Sequence, residues 1–96
     1  MACVDVSVTD NEHLHRYEAT ADGRPAGFLT YRIRPDGMRV LLHTEVDPEF
    51  EGMGVGGGLV SRVLDAERAA GRKVEVVCPF VTTYLRRHPE YADLVG

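Results

Sequence analysis

Between Pro48 and Val60 the chain reads PEFEGMGVGGGLV, and five of its ten glycines fall inside that stretch. An apolar pattern of helical spacing runs through and beyond it: Val55, Leu59, Val63, Ala66 and Ala70, widened by Val60 and Leu64. Glycine costs a helix interior about 1 kcal/mol relative to alanine. A helix that opens on Gly56, Gly57 and Gly58 therefore gives up about 2–3 kcal/mol of propensity. The first N–H groups of a helix have no internal partners and sit at the positive end of its dipole. With no Cβ in the way, a phosphate can approach those groups closely. Two readings of the glycines are open on these grounds: a cradle for a pyrophosphate, or close helix–sheet packing with nothing bound.

The flanking sequence places this turn in a fold. Val4, Val6 and Val8 alternate with polar residues, as in a half-buried strand. HRYEATADG, from His15, reads as a second strand running into an Asp22-Gly23 turn, and Pro25 to Ile33 as a third. Asp36-Gly37 repeats the hairpin signal ahead of MRVLLHTEV, the fourth strand. Asp47-Pro48 ends that strand, because proline cannot donate to a ladder. Gly71 falls where a helix C-cap glycine belongs. KVEVVCPFV is a fifth strand stopped by Pro79, with Cys78 as its last residue, and TTYLRRHPEYADLV is a short helix, a proline break and a last helical turn. The order is β-β-β-β-α-β-α: an antiparallel meander, then a right-handed β-α-β crossover whose last two strands are parallel or splayed. The glycine spacing fits neither G-x-x-x-x-G-K-[ST] nor the strict G-x-G-x-x-G, and the meander argues against a Rossmann fold.

Ninety-six residues, 44% of them hydrophobic, make one globular domain spanning 1–96. A net charge of −4 argues against nucleic-acid binding by counterion release. No apolar run approaches the ~20 residues that span a bilayer. The N-terminus has neither a basic n-region nor a long apolar stretch, so a cytoplasmic location is expected, where Cys3 and Cys78 are free thiols; the alternative is a disulfide between them. His13 and His15 have no further ligands at metal spacing, and no metal site is expected.

VDPEFEGMGVGGGLV resembles motif A of the GNAT superfamily of acyl-CoA-dependent N-acetyltransferases, with Glu51, Gly54 and Gly56 at the positions of Gln/Arg-x-x-Gly-x-Gly/Ala. HTEV ahead of the turn, CPFV on the fifth strand and HPEY near the end extend the resemblance to the minimal, single-domain GNAT-like subfamily over nearly the whole chain. That subfamily lacks the first helices of a full GNAT enzyme. The resemblance implies a small α/β GNAT-like acyl-CoA N-acyltransferase fold, a mostly antiparallel sheet followed by a β-α-β-α coenzyme A-binding half. It implies acetyl-CoA as donor and an amine as acceptor. The pyrophosphate would rest on the turn from Glu51 to Gly56, with Gly52, Met53, Gly54, Val55, Gly56 and Gly57 as contacts. Val46, at the end of the fourth strand, would offer backbone groups to the pantetheine arm. Glu51 departs from the usual Gln or Arg, and its carboxylate is expected to face away from the phosphates.

Acetyl transfer to an amine needs a deprotonated amine, a polarised thioester carbonyl and a proton for the leaving thiolate. Cys78 stands just before a helix start, where a thiol can have a lowered pKa. The subfamily resemblance implies an acetyl-Cys role there, and the alternative is a buried, inert thiol. His43 and Glu45 lie two apart on a strand and share a face with Leu41, while Val40, Leu42, Thr44 and Val46 line the core-like face. The pair either deprotonates the amine or is an exposed polar pair on the open sheet. Tyr84 matches by position the tyrosine with which many GNAT enzymes protonate the departing thiolate, or it is a core aromatic. Arg86, Arg87 and His88 either meet the 3′-phosphate of coenzyme A or form a solvated face. Arg68 and Arg72 with Glu67 and Asp65 read as an ordinary solvated helix face. The first function this supports is N-acetyl transfer, and the alternative is a non-catalytic acyl-CoA-binding module. A bulky residue at Gly54 or Gly56 is expected to abolish coenzyme A binding and leave the fold largely intact.

Overall fold

The computed structural model describes residues 5–96, so the readings of Cys3 and Val4 lie outside the described residues. Five strands form one sheet in the order β1-β2-β3-β4-β5: β1 Val6–Asn11, β2 Arg16–Ala21, β3 Arg24–Ile33, β4 Arg39–Val46 and β5 Val74–Val76. The first four pair antiparallel, and β4 and β5 pair parallel. Helix α1, Val55–Ala69, connects β4 to β5, and α2, Pro79–Arg87, follows β5. The mixed α/β architecture of a meander followed by a crossover is the one the sequence predicts. Among the described residues, no helix is long and apolar enough to cross a membrane.

Local chemistry accounts for the boundaries. Asp22 and Gly23 both take positive φ, 53° and 79°, which is the two-residue turn whose twist matches a hairpin. At the end of α1 the Gly71 N–H donates to Arg68 O and the Arg72 N–H to Glu67 O, at 3.0 and 2.9 Å. This is the Schellman closure that a left-handed glycine permits. The α1 stripe Val55, Leu59, Val60, Val63 and Leu64 is buried against Leu29 and Leu41 of the sheet and against Val81 of α2.

Three sequence expectations need correction here. Ala66 and Ala70 are exposed, and the stripe continues instead through Glu67, which is fully buried. Glu67 is therefore no part of a solvated face. Its carboxylate accepts from the Tyr17 hydroxyl and, at 2.7 Å, from Arg72 Nε. Arg39 Nη1 donates to Tyr17 Oη at 3.2 Å and to Asp10 at 2.7 Å, and Tyr31 donates to Asp10 at 2.6 Å. Four strands and a helix thus meet in one satisfied polar cluster inside the core. Burial, then the bond to Glu67, raises the Tyr17 hydroxyl above the ordinary tyrosine range; burial and Asp10 do the same for Tyr31.

The second correction concerns β4. Thr30 pairs with His43 but Tyr31 pairs with Leu41, so Leu42 is an extra residue in β4. A bulge of this kind reverses which face the following side chains take. Leu41 belongs to the core while His43 and Glu45 are exposed, so Leu41 does not share their face. Thr44 and Val46 do turn to the helix side, as expected. Third, β5 ends at Val76 and not at Cys78. The N–H groups of Val77 and Cys78 both donate to Leu41 O, at 2.9 and 3.0 Å, and the chain turns away from β4 there. Beyond Leu41 the two strands diverge.

Candidate active site

The divergence of β4 from β5 opens toward the start of α1, and the glycine-rich turn closes that end. Asp47 Oδ1 accepts from the Glu49 N–H at 2.9 Å and starts a short 3-10 turn, Pro48–Phe50, whose Phe50 is buried. Gly52 and Gly54 then take φ of 80° and 81°, a left-handed backbone that a side chain would strain. Gly54 is the N-cap of α1, and no side chain caps the helix. Gly58 is the first residue whose N–H closes a helical bond, to Gly54 O at 2.9 Å. The N–H groups of Val55, Gly56 and Gly57 precede it at the positive end of the dipole, with no acidic residue in the first turn.

The three helical glycines differ. A Cβ on Gly56 would sit 2.6 Å from Phe80 Cζ, so this glycine makes room for an aromatic ring. A Cβ on Gly58 would meet Val6 Cγ2 at 3.4 Å and one on Gly57 only Tyr84 Cε2 at 3.8 Å, both ordinary contacts. Packing requires glycine at 56 alone and leaves Gly57 and Gly58 without a steric reason inside the fold.

A groove of about 400 Å³ runs along this turn, lined by Thr44, Val46, Phe50, Glu51, Gly52, Gly54, Val55, Gly56, Gly57 and Phe80. Six of the seven residues expected to bind the coenzyme therefore line it. Met53, the seventh, is an exposed residue of the same turn outside that lining. Glu51 is exposed at the groove's rim. Beyond Phe80 a second hollow of about 550 Å³ is walled by Tyr84, Arg87 and His88 and shares Gly57 and Phe80 with the first. Tyr84 stacks on His88 with ring centroids 4.0 Å apart.

Cys78 is the N-cap of α2 and is 1% exposed. Its Sγ lies 3.3 Å from Thr44 Oγ1, across the gap between the diverging strands. Thr44 lines the groove and the thiol is set behind it. His43 Nε2 and Glu45 Oε2 are 3.0 Å apart on the outer face, with side chains 57% and 61% exposed. In the tautomer whose Nε2–H donates to Glu45, Nδ1 is the ring's acceptor. On that face Glu45 borders an open hollow of about 430 Å³ that also takes in Arg16, Glu18 and Phe28. The structure thus brings together His43 with Glu45, and Cys78 with the unforeseen Thr44, while Tyr84 borders the second hollow. Thr44 escaped notice because threonine on a core-like strand face carries no signal until its neighbour across the sheet is known. Phe80 escaped because nothing in the sequence ties it to Gly56.

Comparison with known proteins agrees with the fold. The model of the GCN5-related N-acetyl-transferase family matches residues 16–94. No curated protein matches the chain. Among solved structures, a GCN5-like protein from Staphylococcus aureus superposes with a TM-score of 0.67 at 22% identity, covering 100% of this chain and 91% of that one. A ribosomal-protein-alanine N-acetyltransferase from Brucella melitensis gives 0.56 at 16% identity, covering 99% and 92%. An acetyltransferase from Trypanosoma brucei gives 0.50 at 21% identity, covering 80% of this chain and 63% of that one. At such identities the likenesses speak to the fold.

Proposed function

The chain belongs to the GCN5-related N-acetyltransferase family, and from that premise we propose that it transfers an acetyl group from acetyl-CoA to an amine. The observation that carries the reading is the first turn of α1, where the Val55, Gly56 and Gly57 N–H groups are left open beside a groove lined by the end of β4 and by Phe80 of α2. A diphosphate fits such a terminus through N–H hydrogen bonds and the helix dipole together. The pantetheine arm lies along the unpaired end of β4, past Val46 and Thr44. The adenosine end lies beyond Phe80, among Tyr84, Arg87 and His88.

The sulfur end then reaches the gap where Thr44 faces Cys78. The acceptor amine enters from the outer face, where His43 backed by Glu45 takes its proton. Attack is direct, since a thiol 1% exposed is poorly placed to carry the acetyl group itself. On this reading Tyr84 flanks the nucleotide end.

One observation favours the binding-module alternative: the side chains of His43 and Glu45 are widely exposed on the outer face. Two measurements decide. Coenzyme A should raise the melting temperature, and a hundredfold excess over Kd is worth about 2.7 kcal/mol. Pantetheine, without the diphosphate, should do much less. Acetyl-CoA with an amine should release free coenzyme A in amine-dependent fashion, with no acetyl adduct on the intact protein. Binding without release supports the module, and no stabilisation by coenzyme A refutes both.

A further inference from the structure

Of the polar groups lining the coenzyme groove, Thr44 has the one partner that the mechanism so far leaves idle. Its hydroxyl carries a single proton. The Thr44 side chain lines the groove, and its hydroxyl lies 3.3 Å from the Cys78 thiol. Thr44 can donate into the groove only while accepting from Cys78. The thiol is held to do this: the Cys78 N–H is bound to Leu41 O, and its carbonyl accepts from both the N–H and the hydroxyl of Thr82 at 3.1 Å.

We propose that Thr44 is the catalytic acid for the departing thiolate and that Cys78, acting through it, supplies the proton. The inference rests on the acetyl-transfer reading above. The amine nitrogen forms its bond to the acetyl carbon, and the carbon–sulfur bond breaks with its electron pair going to the coenzyme sulfur. That sulfur takes the Thr44 Oγ1 proton while Oγ1 takes the proton from Cys78 Sγ. The surplus proton on nitrogen passes to His43. When coenzyme A leaves, water entering the groove returns a proton to Cys78 through Thr44, and His43 gives its own to solvent. No acetyl-enzyme forms and no further reactant is needed.

The test uses the full chain with acetyl-CoA and hydroxylamine, a small nucleophile that is largely unprotonated at neutral pH and asks little of an acceptor site. Free coenzyme A is quantified chromatographically, so that Cys78 does not interfere. Thr44→Val and Cys78→Ala should each lower kcat about 100–10,000-fold, the range of a lost general acid, with KM for acetyl-CoA changed by less than about twofold. Thr44→Ser should recover most of the loss. The double variant should be no slower than the worse single one, because the pair acts as a unit. A solvent deuterium isotope effect on kcat in the wild type should shrink in Thr44→Val, which a purely structural role for Thr44 would not produce. Wild-type kcat in Thr44→Val, or losses that multiply in the double variant, would overturn the relay and leave acetyl transfer standing. A wild-type protein that binds acetyl-CoA but releases no coenzyme A to hydroxylamine would overturn the parent reading and the relay with it.

Discussion

Gly57→Ala should make the protein more stable and a poorer binder of coenzyme A at once. The added Cβ meets only Tyr84 Cε2 at 3.8 Å, an ordinary contact, and Gly57 already lies on helical backbone. Alanine in place of a helical glycine is worth about 0.5–1 kcal/mol, through propensity and through the unfolded chain. For a domain near 100 residues each kcal/mol moves Tm by about 4–8 °C, so a rise of roughly 2–8 °C is expected. The same Cβ tilts toward the helix N-terminus, into the face that Gly57 shows to both hollows. Displacing a phosphate oxygen from one N–H forfeits a hydrogen bond to a charged group, worth about 1.5–3 kcal/mol. Kd for coenzyme A should therefore weaken about 10–100-fold. Scanning calorimetry with and without ligand, and titration calorimetry, read the two effects separately. A higher Tm with an unchanged Kd would refute the claim that Gly57 serves a ligand. A lower Tm would refute the claim that the space beside it is open.

Other outcomes follow from the core. Glu67→Ala leaves Arg72 and Tyr17 without their buried acceptor and should lower stability by about 3 kcal/mol in urea denaturation, the cost of breaking one side of a buried pair. The Tyr17 pKa is raised on folding, so the stability tied to its protonated form is complete below the unfolded value near 10 and lost as pH rises toward the folded one. Urea midpoints should therefore fall above about pH 10, and more shallowly in Tyr17→Phe. Gly27→Ala puts a Cβ 2.5 Å from the Glu45 carbonyl oxygen, backbone that cannot swing aside, and should cost about 1–3 kcal/mol, read as a drop in Tm by circular dichroism.

Much of this fold is legible from local chemistry. Asp22-Gly23, Asp36-Gly37 and Gly71 each impose a backbone state on their own residues, so the turns and the end of α1 can be read off directly, whereas α2 begins at Pro79 and not at Thr82 as the sequence pattern suggests. What is not legible depends on partners distant in sequence. The bulge at Leu42 arises from pairing with β3, and without it an alternation rule assigns Leu41 to the wrong face. Glu67 looks like a surface carboxylate until Tyr17 and Arg39, brought by two other strands, are seen to enclose it. For the site, the turn and its glycines were readable but not their separate reasons. Gly54 strains under any side chain and Gly56 lies beneath Phe80, so neither offers the clean test of binding that the sequence promised.

The divergence of β4 and β5 bears on how this chain lives with others like it. A strand with free N–H and C=O groups invites a second chain to add to the sheet, and natural proteins guard against it. Here the unpaired length of β4 begins beyond Leu41, and α2 packs across from it. An added strand would need about 4.8 Å of clear spacing along its whole length. The side chains of Thr44 and Cys78 meet at 3.3 Å across that opening and deny it. Backbone groups can thus stay available for a thin, flexible molecule threaded past Val46 without becoming a seed for aggregation.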